Sequence, residues 1–170
     1  SLLSILLAYL IAIPLGVHGY KPHMVPNILK WRYGDCKDKA SLLITLMREA
    51  GLRAHIVLIG AGMGNVVPDA PRPSAFNHAI LALPGPGGIQ FLDPTAENAM
   101  YGTLPPMDQG RHALIVWGET GTLELTPFDP PESNALYIDR AARIEGDALS
   151  VSETRASTGR WALDRRSLLR

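Results

Sequence analysis

The sequence predicts an α+β fold in which one amphipathic helix packs on an antiparallel sheet. Two observations predict it. After the single cysteine, Cys36, apolar residues recur at steps of four and three, as they do on one face of an α-helix. The residues that follow form short β-branched and aliphatic runs separated by glycine and proline turns, which is typical of strands joined in hairpins.

Length and composition favour one globular core and exclude some classes of partner and site. The 170 residues suffice for a core of ordinary size, and a hydrophobic content of 46% argues against disorder. The 16 basic and 16 acidic side chains balance, so no net field attracts nucleic acid or an anionic membrane. One cysteine excludes an intrachain disulfide and a multi-cysteine zinc site.

Residues 1–17 are almost free of polar side chains. This run is short for a membrane span, is interrupted by Pro14 and has no preceding basic region. A buried helix over residues 2–12 is therefore favoured over a membrane segment or a signal-peptide core. Because the chain starts with Ser1 inside the apolar run, we interpret it as an N-terminally truncated piece of a longer chain.

Helix signals surround the cysteine. Residues 27–33 predict a short helical turn, and Asp35 and Asp38 predict a capping box that starts the main helix. Gly51 predicts its end, with Arg48 favourably placed in the last turn. The predicted buried stripe of this helix comprises Cys36, Ala40, Leu43, Met47 and Ala50.

The position of Cys36 in the first helical turn leaves two interpretations open. The free N–H groups and the positive dipole end favour a thiolate, which can lower a thiol pKa into the range of about 3.5–7.5. Alternatively, Cys36 is a small buried residue that happens to start a helix. The neighbouring Lys37 and Lys39 are expected to be solvated.

Five runs after the helix predict strands, and one long connection separates the first two. The connection, residues 60–75, is either a functional lid or an exposed insertion. His55, in the first run, is interpreted as a structural histidine. The five runs are residues 53–59, 76–83, 89–93, 112–117 and 122–126.

Residues 84–88, Pro-Gly-Pro-Gly-Gly, predict the turn of an antiparallel hairpin. If residues 84–87 form the loop, His78 and Asp93 lie directly opposite each other. Their Cβ atoms are then about 5 Å apart on one face of the sheet. A five-residue loop would need a bulge to restore this pair.

The chain is predicted to divide into a core and a partial C-terminal module. Residues 1–127 form the core, and residues 128–134, which are rich in proline, form a linker. Residues 135–170 are the start of a β-rich module, with strands over residues 136–144 and 148–154. The basic residues 161–170 at the end are expected to be frayed.

Cys36, His78 and Asp93 are the candidate catalytic residues. A thiol nucleophile needs a base within hydrogen-bond reach, and the base needs an orienting partner. The backbone N–H of Cys36 is one natural oxyanion donor. The same three side chains could bind zinc, but their wide spacing without a close-spaced ligand pair disfavours this alternative. No metal and no cofactor is predicted.

Three blocks of sequence resemble the bacterial transglutaminase-like superfamily. They are RYGDCKDKA at residues 32–40, FNHAI at 76–80 and FLDPT at 91–95. In addition, GYKPH at residues 19–23 resembles the subfamily that carries β-rich domains of unknown function before and after the core. The resemblance implies a papain-like fold with Cys36 as nucleophile, His78 as base and acid, and Asp93 as the residue that orients His78.

The resemblance also implies a function. The chain is expected to be an acyl-transfer enzyme acting on amide or peptide bonds, either a peptidase or amidase with water as acceptor or a transferase with an amine. Its implied partners are a peptide or protein substrate and flanking domains, and its implied location is the periplasm or cell envelope. The alternative is a non-catalytic binding or assembly module that retains the fold. The acidic calcium-binding clusters of the animal members are not evident.

Overall fold

The computed structural model describes Gly19 and residues 21–64, 66–70 and 72–168. These residues combine α-helices with antiparallel sheet, in agreement with the predicted α+β class. The chain divides into two units, one ending at Phe128 and the other Asp129–Arg170, and each is described by itself. The helix predicted over residues 2–12 lies outside the described residues.

Two helices open the described part of the first unit. Helix α1 spans Val25–Trp31 and helix α2 spans Cys36–Glu49, and the two pack against each other. The predicted capping box is present: Asp35 accepts from the backbone N–H of Asp38 at 3.2 Å, and Asp38 accepts from that of Asp35 at 3.3 Å. Cys36 is therefore the first residue of a capped helix.

The buried face of α2 differs from the predicted stripe. Ala40 and Leu42 are fully buried, whereas Leu43 and Met47 are only partly buried and Ala50 is exposed. The prediction assumed that the helix buries one narrow face along its whole length. Instead the buried residues lie in the first two turns of the helix, and residues 48–50 at its end are exposed.

Five strands form one antiparallel sheet in the order β3-β2-β1-β4-β5. Helix α2 packs mainly on β2 and also contacts β1, which places its first turn beside the central strands. The strands are β1 His55–Ile59, β2 His78–Gly85, β3 Gly88–Leu92, β4 His112–Val116 and β5 Gly121–Leu125.

The predicted register of the β2–β3 hairpin is wrong by two residues. Gly85 pairs with Gly88, so the loop is the two residues Pro86 and Gly87 and not residues 84–87. Pro86 suits the first corner of a tight turn, and Gly88 adopts a φ of 108°, which favours glycine. Because side chains alternate with a period of two, a two-residue shift keeps every side chain on its predicted face.

One face of the sheet carries the main apolar cluster and also His78. His78 pairs with Ile59, and Ile80 pairs with Val57, so these four side chains share a face. The connection between β3 and β4 contributes Leu104 to the same cluster. The cluster comprises Val57, Ile59, Ile80, Ala82, Phe91, Leu104, Ala113 and Ile115.

The second unit is a long hairpin followed by a helix. Strands β6, Leu136–Glu145, and β7, Ala148–Ser157, pair with each other, and helix α3 spans Gly159–Leu168. The expectation of a frayed end is wrong for residues 161–168, which belong to α3. Asn134 Oδ1 accepts from the backbone N–H of Arg160 at 2.7 Å and stabilises the start of this helix. No helix in the described ranges is long and apolar enough to cross a bilayer.

Candidate active site

The structure brings together the three side chains singled out from the sequence. Cys36 is the first residue of α2, His78 is the first residue of β2, and Asp93 directly follows β3. The Cys36 thiol lies beside the His78 imidazole, which lowers the pKa of the thiol as a hydrogen-bond partner and as a charge. On the other side of the ring, Nε2 of His78 lies 3.2 Å from Oδ2 of Asp93. The order sulfur, imidazole, carboxylate is that of a nucleophile, a base and an orienting group.

The contact between His78 and Asp93 is diagonal across the two strands. Continuing the observed register places residue 95, not Asp93, opposite His78. Asp93 therefore lies on the same face but two residues away, a distance that long side chains can bridge. The His78 imidazole reaches diagonally to Asp93, so the two side chains are close, as predicted, although the register of the strands differs from the predicted one.

Thr95 fixes the orientation of the Asp93 carboxylate. Its backbone N–H and its hydroxyl both donate to Oδ1 of Asp93, each at 2.8 Å. The other oxygen, Oδ2, remains for His78. The Asp93 side chain is only 2% exposed, so these bonds form in a nearly dry environment and hold the carboxylate in one rotamer.

Asn77 holds the chain just before His78. Its Oδ1 accepts from the backbone N–H of Ala61 at 2.8 Å, and its Nδ2 donates to the carbonyl of Ala61 at 3.0 Å. This pair of bonds joins the start of β2 to the beginning of the segment after β1. The neighbouring backbone N–H of Gly62 donates to the carbonyl of Met107, which anchors the first part of the long connection.

His23 and the two lysines beside Cys36 brace the start of α2. Nδ1 of His23 lies 2.9 Å from Oδ2 of Asp38. The expectation of solvated lysines is wrong: Lys37 and Lys39 are buried. Lys37 pairs with the N-cap Asp35, and Nζ of Lys39 lies 3.6 Å from Oε1 of Glu97 in the segment after Asp93. A carboxylate thus accompanies each lysine, although Nζ of Lys39 has no hydrogen-bond partner within the described part of the chain.

The surroundings of Cys36 favour the thiolate. Burial raises the pKa of the thiol, but the hydrogen bond and the charge of His78 lower it more, and the resulting pKa lies below the ordinary 9.0. The backbone N–H of Ala79 also donates to the sulfur, whereas the charge of Asp35 acts in the opposite direction. The site therefore stabilises a thiolate that is paired with an imidazolium.

The His78 imidazole is held in its charged form. Burial lowers its pKa, but hydrogen bonds to Asp93 and Cys36 raise it, and the net pKa is about 10. Burial likewise raises the pKa of Asp93, and the hydrogen bond to His78 outweighs this, so the pKa of Asp93 lies below 3.8. Asp93 thus stays ionised and supports the imidazolium.

A third carboxyl group, that of Asp108, lies beside this pair. Asp108 ends a short 3₁₀ helix, Pro106–Asp108, in the connection between β3 and β4, and it is fully buried. One ligand-type atom from each of His78, Asp93 and Asp108 lies within 4.8 Å of the others. This is the closest approach to a metal-ligand set in the described ranges, and Cys36 takes no part in it. The absence of a metal stays a prediction.

Exposed aromatic rings lie close to Cys36 in the sequence. Trp31 stacks on Tyr33 with ring centroids 5.8 Å apart, and the edge of His23 meets Trp31 at 5.3 Å. Trp31 is 41% exposed and Tyr33 is 54% exposed, so the stacked pair offers an apolar surface to solvent. His55, interpreted as structural, packs against Trp117 at 4.6 Å.

The chain was compared with family models, with curated proteins and with solved structures, and it matches none of them.

Sequence reasoning missed Asp108, Asn77 and Thr95 as contributors to the site. Thr95 carried a detectable signal, because a threonine two residues after an aspartate can form a local turn with it. Asp108 carried no such signal. Its place beside His78 depends on the path of the whole connection from residue 93 to residue 111.

Proposed function

We propose that this chain is a cysteine-nucleophile acyl-transfer enzyme with a papain-like, transglutaminase-like core that acts on amide or peptide bonds. The observation that carries the proposal is the Cys36 thiol beside the His78 imidazole, whose Nε2 lies 3.2 Å from Oδ2 of Asp93. A buried cysteine with a purely structural role needs neither partner. The sequence blocks around these residues lend independent support.

In the first half-reaction the thiolate of Cys36 attacks the carbonyl carbon of an amide. The new S–C bond pushes the carbonyl π electrons onto oxygen, and the backbone N–H of Cys36, free in the first turn of α2, is placed to donate to this oxyanion. When the tetrahedral intermediate collapses, the C–N bond breaks and His78 gives its proton to the leaving nitrogen. The product is a thioester on Cys36 together with ammonia or an amine.

In the second half-reaction an acceptor attacks the thioester carbon. Neutral His78 takes a proton from water or from an amine as that nucleophile adds. The C–S bond then breaks and the sulfur leaves as the thiolate, which restores the ion pair with His78. Asp93 holds the ring in the orientation that serves both proton transfers. Water gives hydrolysis, and an amine gives transfer.

A peptide or protein is the proposed substrate class, and flanking domains of a longer chain are proposed partners. Exposed Trp31 and Tyr33, which precede the nucleophile by five and three residues in the sequence, support a substrate with apolar surface. The balanced charge of the sequence gives no reason to propose nucleic acid as a partner. The choice between water and an amine as the acceptor is left to the experiment.

The test uses peptides that contain glutamine, asparagine or ordinary peptide bonds, with and without a primary amine. Ammonia release, peptide cleavage and amine incorporation are measured for the wild type, Cys36→Ala and His78→Gln. We expect Cys36→Ala to abolish turnover and His78→Gln to lower kcat by about 10²–10⁴-fold. His55→Gln is the matched histidine control, because His55 contacts Trp117 and not the thiol.

An activity-based thiol probe supplies a second measurement that does not require the right substrate. Labelling of Cys36 that is lost in His78→Gln supports an activated nucleophile. A Cys36 that stays unlabelled in the folded protein contradicts the proposal. Labelling without turnover on any peptide favours the non-catalytic binding module.

A further inference from the structure

The carboxyl group of Asp108 lacks a hydrogen-bond donor. The residue is 0% exposed, and neither Oδ1 nor Oδ2 has a hydrogen-bond partner among the groups that the structure describes. A carboxyl oxygen of Asp108 lies within 4.8 Å of one of Asp93, and the Asp93 carboxylate is only an acceptor when ionised. Two ionised carboxylates cannot satisfy each other, and a buried, unpaired carboxylate is costly.

The backbone holds Asp108 in this position. Its carbonyl accepts from the hydroxyl of Thr126 at 2.6 Å, and its N–H donates to the carbonyl of Pro105 at 2.9 Å. Thr126, just after β5, is itself 1% exposed. The side chain is therefore presented to Asp93 by a fixed segment, and a simple rotation into solvent is not open to it.

We propose that Asp108 keeps its proton in the resting enzyme and donates an O–H hydrogen bond to Asp93, so that Cys36, His78, Asp93 and Asp108 form one chain of hydrogen bonds. Asp108 is then a positioning residue that acts on His78 through Asp93. The inference rests on the proposed function, because it assigns Asp108 a part in tuning the acid and base of that same site.

The charges around Asp108 account for a proton there. Burial and the negative charge of Asp93 raise the pKa of Asp108 to about 7, against the positive charges of His78 and Arg111. The thiolate of Cys36 adds a further negative charge one step away. A second full anion beside Asp93 would leave the site negative overall, and a proton shared by two carboxyl groups removes that cost.

Loss of this proton has a predicted consequence for His78. Ionised Asp108 places a second negative charge near the imidazolium, which raises the pKa of His78 further. An acid with a higher pKa gives its proton to the leaving nitrogen less readily. Acylation is thus expected to slow as pH rises through neutrality, although the thiolate itself persists.

The proposal is tested by NMR titration of the His78 ring in the wild type, Asp108→Asn and Asp108→Leu. In the wild type, the NMR signals of the His78 ring should show a small perturbation near pH 7, as Asp108 ionises, and their main titration near pH 10. Asp108→Asn keeps a donor to Asp93 but cannot ionise, so the perturbation near pH 7 should vanish and the main midpoint should fall by about 0.5 pH unit or more. Asp139→Asn, an exposed carboxyl change on β6, should leave both steps unchanged.

The alkylation rate of Cys36 distinguishes the positioning of Asp93 by Asp108 from the effect of the ionisation of Asp108. Asp108→Asn should react within about 3-fold of the wild type at pH 6, whereas Asp108→Leu, which lacks a donor, should react about 10-fold more slowly. If neither variant folds, the infrared carboxyl band of the wild-type protein decides: a protonated band that disappears near pH 7 supports the inference. Its absence at pH 6 overturns it.

Three further outcomes are decisive, and the first two keep the inference about Asp108 distinct from the proposed function. A reactive Cys36 together with a His78 titration that is identical in the wild type and Asp108→Asn overturns the role of Asp108 and leaves the proposed function standing. An unreactive Cys36 in a protein where Asp108 titrates near pH 7 contradicts the function alone. If dialysis against a chelator removes the perturbation near pH 7, a bound cation and not a proton joins the carboxyl groups, and the inference is wrong.

Discussion

His23 and Asp38 are joined by two hydrogen bonds that tie the segment before α1 to the first turn of α2. The backbone N–H of His23 donates to Oδ1 of Asp38 at 2.8 Å, and Nδ1 of its ring lies 2.9 Å from Oδ2. The same carboxylate accepts from the backbone N–H of Asp35 in the capping box. One buried side chain therefore secures the turn that presents Cys36.

We expect Asp38→Ala to lower the free energy of unfolding by about 2–3 kcal/mol, because it removes a cap and leaves buried N–H groups without acceptors. Urea unfolding measures the change. Glu49→Ala, an exposed change at the other end of α2, should alter it by less than about 0.5 kcal/mol. Equal stability of the two variants would show that Asp38 does not secure the helix start.

The ion pair of Cys36 and His78 predicts an unusual pH dependence of thiol alkylation. Because the pKa of Cys36 lies below 9.0, wild-type protein should react with iodoacetamide at pH values where an ordinary thiol is mostly protonated. In His78→Gln the burial remains but the positive partner is lost, so the midpoint should move upward. His55→Gln should keep the wild-type midpoint. An unchanged midpoint in His78→Gln would contradict the ion pair.

The same two groups predict how stability depends on pH, with opposite signs. The pKa of His78 rises on folding from 6.5 to about 10, so its contribution is complete below pH 6.5 and is lost as pH rises through 10. The pKa of Cys36 is lowered on folding, so its contribution is complete above pH 9.0 and is lost as pH falls through the lowered value. In the wild type, as pH rises towards 9.0, the falling contribution of His78 to the free energy of unfolding is opposed by the rising contribution of Cys36.

Removal of the thiol should therefore expose the contribution of the imidazole. In Cys36→Ala, His78 keeps Asp93 but loses the hydrogen bond from Cys36 that also raises its pKa. The free energy of unfolding should therefore fall as pH rises from 6.5 to a pKa below 10, by up to about 1.4 kcal/mol per pH unit. The free energy of unfolding of the wild type should change less with pH below 9.0. In the double variant Cys36→Ala/His78→Gln, the fall with rising pH should disappear. Urea unfolding at a series of pH values checks all three. A flat profile for Cys36→Ala would mean that Asp93 does not hold the imidazolium.

The helix that carries Cys36 could be predicted because its signals are local. Asp35 and Asp38 lie within one turn of each other, and their capping box is present as expected. The hairpin strands could also be predicted, since alternation and turn residues are read from adjacent positions. The register could not, because two-residue and four-residue loops both fit residues 84–88 and differ only in the backbone angles at the turn.

The rest of the site depends on distant parts of the chain. His78 and Asp93 share a face under either register, because the error was an even number of residues. Asp108 reaches them only through the path of an irregular connection, which no periodicity specifies. Lys39 was expected in solvent because of its charge, yet the segment after Asp93 covers it and supplies Glu97. The missed Asp108 and the wrongly placed Lys39 are both polar residues whose burial depends on irregular segments of the chain.

Asn77 provides a last prediction about the positioning of His78. Its amide makes two hydrogen bonds to the backbone of Ala61, which is buried, so Asn77→Ala should cost about 1–2 kcal/mol of stability. Asn77→Asp should cost more, because a carboxylate oxygen then faces the carbonyl of Ala61 in place of a donor. Both variants should also raise the midpoint pH of Cys36 alkylation, since β2 starts one residue later with His78.

The matched control for these variants is Asn27, an exposed residue on α1. Asn27→Ala and Asn27→Asp make the same chemical changes at a residue that does not bond to Ala61. Both should therefore keep the wild-type midpoint of Cys36 alkylation. If the Asn77 variants lose stability but keep that midpoint, the two hydrogen bonds to Ala61 hold the connection after β1 without setting the position of the His78 imidazole. A parallel loss of stability and a shift of the midpoint would instead show that the backbone before β2 delivers His78 to the sulfur.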